Sequence, residues 1–579
     1  MNASDLTGPR TTFPVAEALS LHTTTFLVVG LLSLVINVLM LTGPLFMLQI
    51  YDRVLTSRSV PTLLVLSGLV AGLYIFFGLL EGIRARSLTR VAAWVDSRLS
   101  SKSLEANVSL SLLFGDRFRE RDAIRDLDAV RQFLSGPGPA AIFDVPWMPV
   151  YLGMIFFFHA YLGWLALAGA LVISLLICLN ELLSRQPARE VSAFVARRAT
   201  IVSATRRNAE VLTAMGMMET FVQRWNVQNA DYLKAQGQAI DLATYFSTTI
   251  KSLRFLLQSA VLGLGAWLAI QQEISPGVMI AASIITSRAL APVEQAVAHW
   301  RGFVAARQGA RSLSEALRVP LHHPIIMQLP VPRRSLEVQQ VAVAIPGERT
   351  LLVQGVNFHL EAGDGLGIIG PSGAGKTSLI RTLVGVWPPI KGAVRLDGAE
   401  LNQWDRATLG KSIGYLPQDV ELFDGTVAEN ISRFDQKPVS EDILIAARLA
   451  NLHDILTALP KGYDTIIGES GNRLSAGLRQ RIGLARALYG SPFLIVLDEP
   501  NSNLDAEGDV ALREAIRNMR ARGSIVIVVA HRPSAIEPVD RLLYLREGKQ
   551  GAFGSKSDVL TQVVSPSENS DVLHAGARD

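Results

Sequence analysis

The most informative stretch of the chain is rich in glycine and reads Gly370-Pro371-Ser372-Gly373-Ala374-Gly375-Lys376-Thr377. An apolar run at residues 366–369 precedes it, as a buried strand would, and a helical pattern begins at Ser378. Glycines in this context let backbone N–H groups converge on phosphates at the N-terminus of a helix. The sequence therefore predicts a phosphate-binding loop at residues 370–377. In this loop Lys376 neutralises the outer phosphates, and the Thr377 hydroxyl can ligate Mg²⁺.

A second stretch ends in two acids and reads Phe493-Leu494-Ile495-Val496-Leu497-Asp498-Glu499-Pro500. An apolar run that ends in carboxylates is typical of a central strand that delivers acids to its C-terminal edge. We expect Asp498 to hold Mg²⁺ and Glu499 to accept a proton from the attacking water. Together with the phosphate-binding loop, the two acids predict nucleotide hydrolysis.

The composition indicates that part of the chain contacts a lipid bilayer. Hydrophobic residues make up 49% of the 579 residues and charged residues only 18%, compared with about 25% charged residues in a typical soluble protein. The net charge of +4 is too small to indicate nucleic acid, so we expect no nucleic-acid partner. The single cysteine, Cys178, excludes a disulfide framework and a four-cysteine metal site. We expect it to be a small, buried apolar residue.

Several runs in the first half contain few or no charged residues and are long enough to cross about 30 Å of hydrocarbon as helices. One of them, 145–180, is too long for a single helix, and residues 159–163 are expected to form a turn between two. The last run is interrupted by Arg288 and Glu294. Arg288 either faces a cavity or a partner, or lies at the membrane boundary. Six spanning helices are predicted from the runs 23–51, 59–80, 145–180, 255–272 and 276–298.

The connections between these runs differ in their basic residues. The segments of about fifty residues after the second and fourth spans contain many Lys and Arg residues, whereas the turns near His159 and near 272–274 contain none. Lys and Arg collect on the cytoplasmic side of a membrane. Both basic segments and both termini are therefore predicted to be cytoplasmic. Apolar residues at helical spacing indicate that the spanning helices continue into these segments.

Between the two nucleotide motifs lies Asn472-Arg473-Leu474-Ser475-Ala476-Gly477-Leu478-Arg479-Gln480-Arg481, which resembles the signature of ATP-binding cassette (ABC) proteins. Other landmarks of that family stand in the family's order. Gln418, before the signature, matches the Q-loop. Asp505 and His531, after it, match the D-loop and the switch histidine. The resemblance implies a membrane α-helical bundle of six transmembrane helices with the type I/IV ABC exporter fold. A cytoplasmic α/β P-loop ATP-binding cassette domain would follow this bundle.

The resemblance also assigns roles to residues. Glu499, His531 and Gln418 would be catalytic, and Thr377, Gln418 and Asp498 would hold Mg²⁺. Because the signature begins a helix, it can address a γ-phosphate held by a second cassette, and one cassette on one six-span half implies a homodimer. The signature residues in contact with the partner's ATP would be Leu474, Ser475, Ala476, Gly477 and Leu478. The residues expected to bind ATP are Gly370, Pro371, Ser372, Gly373, Ala374, Gly375, Lys376, Thr377 and Ser378.

Segments of the membrane half resemble type I secretion exporters, in the branch that secretes metalloproteases and lipases from Gram-negative bacteria. These segments are residues 43–55, Phe143-Asp144-Val145-Pro146-Trp147, residues 207–217 and residues 288–294. The resemblance implies an inner-membrane exporter that works with a periplasmic membrane-fusion protein and a TolC-like outer-membrane channel. Its substrate would be an unfolded protein with an uncleaved C-terminal signal. Relatives that handle haemolysins or bacteriocins carry an additional N-terminal peptidase-like domain, which we expect to be absent here.

Two features depart from the family pattern. Leu478 stands where the signature normally has Gln, and Ala476 where it usually has Gly. The leucine removes an amide that could hydrogen-bond nucleotide, at a cost of about 1 kcal/mol. Residues 341–346 offer no aromatic side chain to stack on adenine, and Phe358 is expected to pack in the core. We therefore expect weak discrimination between nucleotide bases.

Two other functions share much of this pattern, namely a lipid or drug ABC exporter and an ATP-gated channel. The predicted domains are a short N-terminus at 1–20, a transmembrane domain at 21–318, a linker at 319–334, a cassette domain at 335–562 and a loose tail at 563–579.

Overall fold

The structure is a computed structural model that describes residues 14–114, 122–318, 329–348, 350–468, 471, 474–530 and 532–564. Its contacts divide the chain into two compact units. The first unit comprises residues 1–108 and 117–319, and the second comprises residues 109–116 and 320–579.

The N-terminal half is helical, and three of its helices are much longer than a membrane is thick. The helices α5, α9 and α11 in the list below contain 55, 48 and 53 residues, which corresponds to about 70–80 Å each. They extend past the predicted spans, as the helical spacing of the basic segments predicted. The helices are α1 Pro14–Ser20, α2 Thr23–Leu39, α3 Thr42–Gln49, α4 Leu55–Ser57, α5 Val60–Phe114, α6 Ala123–Ser135, α7 Gly138–Asp144, α8 Met148–Phe158, α9 Ala160–Arg207, α10 Ala209–Ala214, α11 Met218–Ile270, α12 Pro276–Ala298 and α13 Trp300–Ala316.

In the part of the chain that the structure describes, five helical stretches are long and apolar enough to cross a membrane. The first contains a π-helical turn at Ile50–Val54. The break between the third and fourth falls at His159, whose Nδ1 accepts a hydrogen bond from the Tyr161 N–H (3.2 Å) at the start of α9. The sixth predicted span forms α12. The five stretches are Thr23–Ser57, Val60–Leu112, Gly138–Phe158, Ala160–Arg207 and Met218–Ile270.

Helices α8, α9, α11 and α12 share an apolar core that includes Ile173. Cys178 lies on α9 but is exposed, so the prediction that it is buried is wrong. It follows Ile173 by five residues, which places it about 140° around the helix, on the face turned away from this core. Arg288 is also exposed, whereas Glu294 pairs with Arg254 of α11 (Oε2 to Nη1, 3.0 Å).

A buried polar cluster joins the first three spans. The Arg84 Nη1 of α5 donates to both carboxylate oxygens of Asp144 at 2.8 and 3.1 Å. The Asn37 side-chain amide of α2 donates to the same carboxylate at 2.8 Å, and the Tyr151 hydroxyl donates to the Asn37 carbonyl at 2.8 Å. All four residues are buried. The cluster therefore ties the end of α7, within the third stretch, to α2 and α5.

The second unit is built on a ten-stranded sheet in the order β5-β4-β1-β2-β10-β9-β3-β8-β7-β6. One end of the sheet is antiparallel, and the strands from β9 to β6 run parallel. The strands are β1 Ser335–Ala344, β2 Leu351–Glu361, β3 Gly365–Ile369, β4 Lys391–Leu396, β5 Ala399–Glu400, β6 Ile413–Leu416, β7 Leu494–Asp498, β8 Ile525–Val529, β9 Arg541–Arg546 and β10 Lys549–Ser555.

Two apolar clusters bury this sheet and its helices. Phe358 is 5% exposed and its ring lies 5.9 Å from that of Phe553, so the prediction that it packs in the core is confirmed. The helices of this unit are α14 Lys376–Leu383, α15 Arg406–Ser412, α16 Val427–Ile431, α17 Ser440–Leu449, α18 His453–Thr457, α19 Ala476–Leu488, α20 Ala506–Ala521 and α21 Lys556–Val564.

Candidate active site

Adjacent parallel strands bring the predicted nucleotide motifs to one edge of the sheet. Strands β3, β8, β7 and β6 are neighbours in that order. The phosphate-binding loop follows β3, β7 ends at Asp498, and Gln418 lies two residues beyond β6. Gln418 is exposed there. His531 follows β8 in the sequence but lies outside the described residues. Parallel strands thus gather motifs that are far apart in the sequence at their carboxyl ends.

The shape of the phosphate-binding loop depends on glycine at its two ends. A Cβ at Gly370 would lie 2.1 Å from the Leu545 carbonyl oxygen. Gly375 has φ +91°, and a Cβ there would lie 2.6 Å from Val353 Cγ2. Helix α14 begins directly after Gly375, so its unpaired N–H groups face the loop and favour an anion.

The remaining residues of the loop differ in exposure. Pro371, Ser372 and Gly373 are exposed, and Thr377 and Ser378 are half-buried. Ala374 is buried in the apolar core beneath the loop. The outer residues are therefore accessible to a nucleotide, while Ala374 anchors the loop to the sheet.

The Lys376 side chain folds back over its own loop. Its Nζ donates hydrogen bonds to the carbonyl oxygens of Gly370 (2.8 Å) and Pro371 (3.0 Å). Burial lowers the pKa of Lys376, and the nearby carboxylates of Glu499 and Asp498 oppose this shift. A phosphate oxygen would be a stronger acceptor for this ammonium group than the two carbonyls.

Asp498 is 1% exposed, and among the described residues none donates a hydrogen bond of normal geometry to either of its carboxylate oxygens. Burial raises the pKa of Asp498, the Glu499 carboxylate adds to the shift, and the Thr377 hydroxyl beside it favours the charged form. A buried carboxylate without donors is costly unless a cation compensates it. The orphaned oxygens of Asp498 next to the Thr377 hydroxyl therefore fit a hard divalent cation such as Mg²⁺.

Glu499 has an unusual backbone conformation, with φ +48°. A left-handed conformation costs a residue other than glycine about 1–3 kcal/mol and persists only where surrounding structure enforces it. The Glu499 N–H donates to the Val529 carbonyl at 3.0 Å, and the Glu499 carbonyl accepts from the Ser502 N–H at 3.2 Å. The turn after β7 thus places the second acid in a fixed, strained position.

Two residues at this edge were missed as functional candidates. Burial and the nearby Asp498 raise the pKa of Tyr415, whereas the Arg381 guanidinium lowers it. The Arg381 guanidinium also lies over the Trp387 ring, 4.9 Å from its centroid. Their positions gave the available signal, because Tyr415 is the penultimate residue of the motif strand β6 and Arg381 lies on the helix that follows the phosphate-binding loop.

The signature residues begin α19, which packs against β6, whereas the phosphate-binding loop begins α14, which packs against β1, β2 and β7. The Ser475 hydroxyl caps α19 by accepting from the Leu478 N–H at 3.3 Å. Leu474 and Leu478 pack against the apolar core. Ala476 is exposed.

The signature helix is tied to the segment that follows Glu499. A Cβ on Gly477 would lie 3.0 Å from the Asn503 carbonyl oxygen. The Arg481 Nη2 lies 2.6 Å from the Asp505 Oδ1, and the same carboxylate accepts from the Gly508 N–H at 2.8 Å and so caps α20. The Gly508 N–H and the Arg481 charge lower the pKa of Asp505.

Family comparisons identify both halves of the chain. Residues 353–502 match the ABC transporter family and residues 26–291 match the ABC transporter transmembrane region. The chain is 49% identical to the type I secretion system ATP-binding protein PrsD of Rhizobium meliloti (strain 1021), over 94% of this chain and 93% of PrsD.

Two more distant relatives are also named as ATP-binding proteins of translocation or secretion. The chain is 27% identical to the leukotoxin translocation ATP-binding protein LktB of Mannheimia haemolytica, over 92% of this chain and 76% of LktB. It is 28% identical to the cyclolysin secretion/processing ATP-binding protein CyaB of Bordetella pertussis, over 92% of this chain and 75% of CyaB.

The fold is also that of a solved exporter. The structure of a bacterial Atm1-family ABC exporter with ATP bound matches this chain with a TM-score of 0.75 and 20% identity, covering 94% of this chain and 97% of the other. The predicted fold class is confirmed. From its sequence, its nucleotide motifs and its fold, the chain belongs to the ABC transporters and, among them, to the ATP-binding proteins of type I secretion systems.

Proposed function

We propose that this chain is the ATP-driven half-transporter of a type I secretion system and exports an unfolded protein across the inner membrane. One arrangement carries the proposal: a phosphate-binding loop, the buried Asp498 and the strained Glu499 meet at one sheet edge of a chain with several membrane-length helices. Within the described ranges, no residue gives Asp498 a hydrogen bond of normal geometry. The near full-length similarity to PrsD supports protein as the substrate class. A metalloprotease-like or lipase-like protein with an uncleaved C-terminal signal is the proposed substrate.

In this proposal each residue has a limited task. Residues 370–378 bind the phosphates, and Lys376 exchanges its two carbonyl partners for phosphate oxygens. Glu499 takes a proton from the water that attacks the γ-phosphate, and His531 and Gln418 complete the site. Mg²⁺, held by Thr377, Asp498 and Gln418, would neutralise phosphate charge.

Two copies of the chain would form the working transporter. The signature of one copy, Leu474 to Leu478, would contact ATP on the phosphate-binding loop of the other, because Ser475 and the start of α19 present N–H groups to an anion. A periplasmic membrane-fusion protein and a TolC-like outer-membrane channel would complete the path. The basic segments after the second and fourth spans support a cytoplasmic position for the cassette and both termini. The domain limits 1–20, 21–318, 319–334, 335–562 and 563–579 belong to the same proposal.

The experiment reconstitutes secretion in a Gram-negative host that does not secrete proteases. The host would express this chain with a membrane-fusion protein and an outer-membrane channel of the protease-secretion type. It would also express a metalloprotease with its own C-terminal segment. We expect protease in the medium with the wild-type chain and none with Glu499→Gln. The matched control is Glu547→Gln, because the Glu547 side chain is 86% exposed.

Either of two results would overturn part of the proposal. Secretion that survives Glu499→Gln would contradict ATP-driven export through this residue. A membrane-inserted assembly that hydrolyses ATP but secretes no protein would contradict the protein substrate and favour a lipid or drug exporter.

A further inference from the structure

One buried amide joins the signature helix to the turn after β7. Gln480 lies in α19, five residues after Ser475, and is 2% exposed. Its Nε2 donates a hydrogen bond to the Pro500 carbonyl oxygen at 3.0 Å. Its Oε1 lies 3.5 Å from the side-chain nitrogen Nδ2 of Asn503. A buried hydrogen bond of this kind is costly to break, because the carbonyl would lose its partner out of reach of water.

The carbonyl that Gln480 binds belongs to the residue directly after Glu499. The left-handed conformation of Glu499 must be held by its neighbours. Backbone hydrogen bonds to Val529 and from Ser502 hold Glu499 itself. The Pro500 carbonyl that Gln480 binds belongs to the peptide between residues 500 and 501, one peptide beyond the two that flank Glu499. Gln480 therefore holds the far side of the turn in which Glu499 lies.

Two further contacts join the same pieces. The Gly477 backbone lies against the Asn503 carbonyl, leaving no room for a side chain without a shift. The Arg481 guanidinium pairs with Asp505 at 2.6 Å. Helix α19 and residues 500–505 are thus joined at three successive points, so a displacement of the helix moves the turn.

We propose that Gln480 is a positioning residue that sets the orientation of Glu499 through the Pro500 carbonyl and couples it to the signature. This inference rests on the proposed function, which makes Glu499 the proton acceptor and the signature the contact to the second chain's ATP. Engagement of the signature with one ATP then orients the hydrolytic carboxylate that serves the other. The residue would raise turnover and cooperativity without touching nucleotide.

The test compares Gln480→Met with the wild-type transporter, purified at full length in lipid. Methionine keeps the length and volume of the side chain but removes the donor. We expect the maximal rate of ATP hydrolysis to fall about tenfold, the size of effect that loss of one buried hydrogen bond gives. Half-saturation by ATP should change less than twofold, and the Hill coefficient should fall towards one. Gln480→Glu, which places an acceptor against the Pro500 carbonyl, should be slower still.

Gln550→Met is the matched control, because the Gln550 side chain accepts from the Asn357 N–H at 2.7 Å on strands away from Glu499. It should leave rate and cooperativity unchanged. A thermal unfolding curve for each variant separates positioning from folding. The inference is overturned if Gln480→Met hydrolyses ATP within twofold of wild type. It is also overturned if its rate, ATP affinity and unfolding temperature all fall together.

A parallel Glu499→Gln variant distinguishes failure of the proposed function from failure of the role proposed for Gln480. If Glu499→Gln stops hydrolysis while Gln480→Met retains it, the proposed function stands and this inference fails. If Glu499→Gln retains hydrolysis, the proposed role of Glu499 fails and the inference fails with it.

Discussion

Each half of the molecule buries an aspartate, and the two carboxylates differ in the hydrogen-bond donors around them. In the membrane half, Asp144 accepts hydrogen bonds from Arg84 and Asn37. In the cassette, Asp498 is more deeply buried, and no described residue donates a hydrogen bond of normal geometry to it. A buried charge with all its partners supplied holds a structure together, whereas one without them is a place prepared for a ligand. Burial alone does not distinguish a structural aspartate from a ligand-binding one. The hydrogen-bond donors around the carboxylate do.

The sharpest test of this comparison replaces Asp498 with asparagine. We expect the rate of Mg²⁺-dependent ATP hydrolysis to fall at least about 100-fold, because preorganised charge at a phosphoryl-transfer site is removed. The nucleotide-free protein should unfold at the same or a higher temperature, since the substitution removes a buried charge whose pKa burial raises. Phosphate release and thermal unfolding measure the two effects. A variant that loses stability as well as activity would show that Asp498 is structural, as Asp144 is.

The complementary change, Asp144→Asn, should act on stability first. The variant removes a charge-assisted hydrogen bond, while Arg84 keeps its contacts with the Glu81 carboxylate at 2.8 and 2.9 Å. We expect a loss of about 1–3 kcal/mol, so the unfolding temperature in detergent should fall. The double variant Arg84→Leu with Asp144→Leu should recover much of that loss, because an apolar pair can replace a buried ion pair. If the double variant is no more stable than the single one, the cluster does more than hold the helices together.

The pH dependence offers a third comparison, between the wild-type protein and Asp498→Asn without nucleotide. Burial raises the pKa of Asp498 above its ordinary value of 3.8, so the folded state binds this proton more tightly than the unfolded state. The free energy of unfolding of the wild type, relative to the variant, should fall as the pH rises from 3.8 through the raised pKa. Above that pKa the difference should be constant. A relative stability that rises over this range would contradict a raised pKa for Asp498.

A smaller effect is expected at Leu478, an apolar residue in the signature that we propose contacts nucleotide. Leu478→Gln would restore an amide for nucleotide at the expense of packing against the core. We expect a gain of a few-fold in ATPase rate or ATP affinity, which corresponds to about 1 kcal/mol. No change in either quantity would refute a nucleotide role for this position.

The smallest expected effect is the difference in hydrolysis rate between nucleotides with different bases. Residues 341–346 contain no aromatic side chain, so GTP and ATP should be hydrolysed at rates within a few-fold of each other. Steady-state rates with each nucleotide measure this directly. A GTP rate far below the ATP rate would place base recognition elsewhere in the cassette.

The sequence predicted those features whose signal is local. The phosphate-binding loop, the acids at the end of β7 and the membrane-length helices all have a motif or a continuous apolar run. Contacts between distant elements had no such signal, which is why Arg84 with Asp144 and Gln480 with Pro500 appeared only in three dimensions. Cys178 was placed on the wrong face because apolar composition does not distinguish the core side of a membrane helix from its outer side.

The unbroken lengths of α5 and α11 have a mechanical consequence. Each is one hydrogen-bonded rod of about 80 Å, so a tilt of about 5° at one end displaces the other by about 7 Å, with no joint to absorb the movement. Of the three long helices, α9 is the one with a proline in its interior, at Pro187, where a missing backbone donor allows bending. Of the three long helices, two are therefore stiff levers and one can flex.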